Sequence, residues 1–126
     1  MTQNLKKLFE KTLFQYQNKK AIVFGNEEIS YKELYSSSKR VGNALVKQGV
    51  KPNTRVAILM SNCIEYAVID MGIIQAGATK VPLNDMLGEK DITYILQDSK
   101  AEVIFAGPNF LETINNIHRH LPQLCT

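Results

Sequence analysis

Residues 55–84 read RVAILMSNCIEYAVIDMGIIQAGATKVPLN, and this stretch decides the fold. It opens with an apolar, partly β-branched run, Arg55 to Met60. Ser61 and Asn62 follow, both residue types that cap helix N-termini. About four turns of apolar-rich sequence then end at Gly77, a helix stop signal. A second short apolar run, Thr79 to Pro82, closes the unit. Strand, helix and strand with short joints form a βαβ unit, and such units build parallel sheets with right-handed crossovers.

The helix expected over residues 62–76 has an unusual pattern. Its polar residues Glu65, Asp70 and Gln75 are spaced five apart. At 100° per residue they point in well-separated directions and leave no wide polar face. A helix apolar on nearly all sides is buried on most of them. In a chain this short, the pattern implies that part of its cover lies outside this sequence. The stretch is too short and too charged to cross a bilayer.

The bulk numbers agree with a folded domain. At 126 residues the chain can build one domain with a modest core. Its 44% hydrophobic content argues against disorder. The net charge of +3 comes largely from Lys6, Lys7, Lys11, Lys19 and Lys20. That cluster has no arginine and no interleaved aromatics of the stacking kind. It reads as a solvated helix face rather than a nucleic-acid or membrane patch. Cys63 and Cys125 make no paired motif and suit reduced thiols, with Cys63 as a small core residue. Residues 1–9 are polar and contain no apolar signal-peptide core, so the cytoplasm is the expected location.

Elsewhere the pattern alternates between helix and strand. Leu5, Leu8, Phe9, Leu13 and Tyr16 fall near helical spacing and predict an amphipathic first helix. Residues 21–24 and 28–30 predict a β-hairpin around Gly25-Asn26. Ser30-Tyr31-Lys32-Glu33 is a capping box. The helix that it starts presents Tyr31, Leu34, Tyr35, Ser38, Val41, Gly42 and Leu45 along one stripe, and Gly49 stops it. Beyond the central unit, residues 83–88 read as a loop. Residues 89–98 read as a helix with Ile92, Ile95 and Leu96 inward and acids in its first turn, which the helix dipole favours. Residues 102–106 predict a third parallel strand, with 55–60 between or beside the other two. Asn109 is the expected cap of a last helix carrying Phe110, Leu111, Ile114 and Ile117.

Reactive constellations are scarce. The glycines are scattered and form no phosphate loop. His118 and His120, with Cys125, could chelate a metal, but a frayed, exposed C-terminal segment is the plainer reading. Ser36-Ser37-Ser38 lacks a nearby histidine and a strand–turn–helix elbow, so helix surface is favoured over nucleophile. The carboxylates are dispersed, and no pair suits acid–base work. Residue physics alone therefore reaches an incomplete α/β domain.

The motifs reach further. Ile29-Ser30-Tyr31-Lys32-Glu33-Leu34 resembles the first core motif of the adenylate-forming ligases, the superfamily of acyl-CoA synthetases, firefly luciferase and peptide-synthetase adenylation domains. Gln75-Ala76-Gly77-Ala78-Thr79-Lys80-Val81-Pro82-Leu83-Asn84 resembles the second. Residues 56–62 and 91–99 resemble the strand-and-turn between these motifs and the helix beyond them. Each piece is weak alone; four in the right order, covering roughly residues 5–109, are strong together. The resemblance implies enzymes that use ATP and magnesium to convert a carboxylate into an acyl-adenylate, then pass the acyl group to coenzyme A or a carrier thiol. Its style is nearest to bacterial fatty-acid or medium- to long-chain acyl-CoA synthetases.

The same resemblance shows what these residues do not contain. The family's phosphate loop, its adenine- and ribose-binding motifs, its acyl pocket and the catalytic lysine of its C-terminal domain lie downstream. No catalytic, cofactor-binding or metal-binding residue can therefore be carried over to this chain. Two positions depart from the pattern: Asp85 stands where members often have Pro, and Met86 where many have an Arg that in some touches the CoA nucleotide.

The resulting expectation is the N-terminal part of an acyl-CoA synthetase. Residues 1–126 would form a single incomplete α/β domain, with a partial doubly wound, mostly parallel sheet, flanking helices and an N-terminal β-hairpin. It would be inactive alone and bind no cofactor, while ATP, Mg and CoA serve full-length relatives. Its partners would be the remainder of the ligase and, through exposed apolar surface or a sheet edge, further copies of itself. Neither nucleic acid nor a membrane span is expected. The alternative is a freestanding interaction or regulatory module that kept the scaffold without the site. A small Rossmann-like nucleotide binder is a third reading, disfavoured by the missing phosphate loop.

Overall fold

The computed structural model of the chain describes residues 2–124, and within them the side chains other than those of residues 2–6, 9 and 13. The expected apolar contributions of Leu5, Phe9 and Leu13, and the expected role of Cys125, lie outside the described residues. The chain divides into two units, Met1–Asn53 with Asn62–Ala78, and Thr54–Ser61 with Thr79–Thr126.

The first unit holds helix α1 (Thr2–Gln15), the strands β1 (Lys20–Phe24) and β2 (Glu27–Ser30), and the helices α2 (Tyr31–Lys47) and α3 (Ile64–Ala76). β1 and β2 pair antiparallel, with Phe24 opposite Glu27 across the expected Gly25-Asn26 turn. The capping box at α2 is formed. Glu33 N donates to Ser30 Oγ at 3.1 Å, and Ser30 N donates to Glu33 Oε1 at 3.4 Å. The next orphan amides of this helix find backbone partners. Tyr31 N donates to Lys19 O and Lys32 N to Gln17 O, both at 2.9 Å. Leu34, Ser38, Gly42 and Leu45 are buried along the expected stripe.

α3 is apolar on all sides, as its spacing predicts, but it begins later than expected. Cys63 is the N-cap and makes no side-chain capping bond, so Ser61 and Asn62 are not caps. Cys63 is a half-buried free thiol in extended backbone ahead of the helix, not a core residue on it. The far end follows the sequence signal. Gly77 takes φ 77°, and its N–H bonds to Ile74 O. That left-handed conformation costs an L side chain energy that glycine does not incur.

The second unit is built on a parallel sheet of β3 (Arg55–Leu59), β4 (Thr79–Pro82) and β5 (Val103–Ala106), in the order β4-β3-β5. β3 is central, and Val56, Ala57, Ile58 and Leu59 are all buried, so both faces of the strand are covered. That explains its unbroken apolar run, since a strand covered on both faces has no reason to alternate. α4 (Glu89–Ser99) and α5 (Leu111–His118) complete the unit. Ile92, Leu96, Ile114 and Ile117 join Ala57, Leu59 and Ile104 in one core, with Ile95 and Phe110 packed against it.

Three details differ from expectation here. Asn109 lies inside a short 3-10 turn (Pro108–Phe110), and Phe110 is the N-cap of α5, without a side-chain bond. Leu111 is exposed rather than inward. The segment after α5 is anchored rather than frayed, because Leu121 and Leu124 are buried in the core.

Candidate functional site

In open parallel sheets, ligands bind beyond the carboxyl ends of the strands, where successive connections leave a strand toward opposite sides. The order β4-β3-β5 creates such a point. The chain passes from β3 to β4 on one side, then to β5 on the other. The residues at that edge of the second unit are Met60 and Ser61 after β3, Leu83 and Asn84 after β4, and Gly107 to Asn109 after β5.

Backbone hydrogen bonds hold these segments in place. Leu83 N donates to Ile58 O and Gly107 N to Leu59 O, each at 2.9 Å, so both flanking strands run on into the loops beside β3. Asn84 Oδ1 accepts from Met86 N at 2.8 Å, which folds the β4 loop back on itself. Asn116 Nδ2 donates to Glu89 Oε2 at 3.0 Å, tying the start of α4 to α5. Beside β5 lies an open cleft of about 330 Å³. Ile104, Phe105, Pro108, Leu111 and Asn115 are among the residues that line it.

This edge can hold a ligand but offers no reactive group. Its polar atoms are main-chain groups, the Ser61 hydroxyl and the amides of Asn84, Asn109 and Asn115, none of which ionises near neutral pH. Met86, at the tip of the β4 loop, is 86% exposed and carries no charge. Where an arginine would present a forked cation to a phosphate, this chain presents a thioether.

The other residues weighed from the sequence are not brought together. His118 and His120 are exposed, and His118 Nε2 lies 3.1 Å from Leu124 O. Among the described residues, no three His, Cys, Asp or Glu side chains converge on a possible metal position. The serine run divides: Ser36 is exposed, whereas Ser38 is fully buried and hydrogen bonded. No histidine stands beside it, so it is a packing residue. The sequence reading missed the edge residues Gly107 and Pro108. Their signal was a Gly-Pro pair directly after an apolar strand, which marks a strand-to-loop exit.

Comparison with known proteins places this architecture. A family model described as AMP-binding enzyme matches residues 9–125. The 4-hydroxybenzoate–CoA/benzoate–CoA ligase of Rhodopseudomonas palustris is 33% identical over 84% of this chain and 20% of its own length. Tyrocidine synthase 1 of Brevibacillus parabrevis is 27% identical over 90% of this chain and 10% of its own. The crystal structure of the anthranilate CoA ligase AuaEII in complex with anthranoyl-AMP superposes with a TM-score of 0.89. It is 30% identical and covers 94% of this chain and 23% of that one. The chain thus spans about a fifth of the length of the CoA ligases it matches.

Proposed function

The chain belongs to the AMP-binding enzyme family, and on that premise we propose that it is the N-terminal part of an adenylate-forming acid–thiol ligase. The observation that carries this reading is a family match over residues 9–125, combined with coverage of only 20% of the benzoate–CoA ligase's length. The full protein would activate a carboxylate with ATP to an acyl-adenylate, releasing pyrophosphate, and transfer the acyl group to coenzyme A. A carboxylate resists attack by a thiol, whereas an adenylate carries a good leaving group.

In this reading, residues 1–126 supply scaffold rather than chemistry. They contain no glycine-rich phosphate loop, and no three potential metal ligands converge among the described residues. The described side chains offer no grouping that would hold magnesium–ATP. The binding of ATP, magnesium and coenzyme A is assigned to the remainder of the ligase. The style of the sequence motifs points to fatty acids as the carboxylate. The relatives named for benzoate, 4-hydroxybenzoate and anthranilate support aromatic acids as further candidates.

The test is ATP–pyrophosphate exchange with a panel of fatty and aromatic acids. The 126-residue chain alone is expected to match the blank, because adenylyl transfer depends on positioned charge that it does not provide. A ligase of this family carrying these residues as its N-terminal segment is expected to exchange with at least one acid. Exchange that copurifies with the chain alone would overturn the assignment of chemistry to other segments.

A further inference from the structure

We draw no further inference here: the strongest candidate, the exposed cationic surface patch of Lys32, Lys39, Arg40 and Lys47 along α2, carries nothing because nothing in the structure shows what covers it in a chain that spans about a fifth of the CoA ligases it matches.

Discussion

Gln75 Nε2 on α3 donates a hydrogen bond of 2.6 Å to Ser38 Oγ on α2, across 37 residues of sequence. Ser38 in turn donates to Tyr35 O at 3.1 Å, and its side chain is fully buried. This is a buried polar group satisfied on both its donor and its acceptor side, at the crossing of the two helices. Ser38→Ala is expected to destabilise the chain by about 1 kcal/mol, because the half-buried Gln75 amide loses a partner. The double variant Ser38→Ala/Gln75→Met should cost less than the two single changes together, since it removes both ends. Urea unfolding of the four proteins is the check; strict additivity would show that the bond contributes no coupling.

The same crossing depends on Gly72. A Cβ added there would lie 2.5 Å from Val41 Cγ1, closer than real contacts allow, and a tight 3.0 Å from Ser38 O. Gly72→Ala is thus expected to lose about 1–3 kcal/mol despite alanine's better helix propensity. Combining it with Val41→Ala should recover part of the loss. A Gly72→Ala chain as stable as its parent in denaturant would mean the helices separate without cost.

Lys100 is the C-cap of α4 and takes φ 56°, a positive φ at a non-glycine residue. Its side chain costs energy in that conformation. Lys100→Gly should therefore raise stability by roughly 0.5–1 kcal/mol, the strain relief exceeding the added entropy of the unfolded chain. Thermal unfolding measures it, and an unchanged or lowered midpoint would contradict the cap geometry.

α3 leaves apolar side chains such as Val68, Met71 and Ile74 half-exposed, whereas Ile73 is completely buried. Surface of this kind favours self-association. Sedimentation at several concentrations should show a dimer or larger assembly. Met71→Asp is expected to shift it toward monomer, and Ile73→Asp to unfold the chain. A folded monomer at the highest concentration would show that α3 has enough cover already.

What the sequence determined by itself was set by short-range physics and by motif. The capping box needs only residues 30–33, and Gly77 only its own φ. The apolar run of residues 55–60 and the helical periods around it are likewise local, and the motif order alone placed the chain among adenylate-forming ligases. The tertiary structure decided what depends on distant segments meeting. The central place of β3 arises from its pairing with β4 on one edge and β5 on the other. The start of α3 at Ile64 passed over two residues with better capping propensity, and the short 3-10 turn displaced Asn109 from the cap of α5. Leu121 and Leu124 became core residues because the sheet and helices present a face for them to fill. Ser38 became a buried hydrogen-bonding residue only when α3 brought Gln75 to it. A local signal fixes its own turn of backbone, but burial and pairing are properties of two segments, and the second is chosen by the fold.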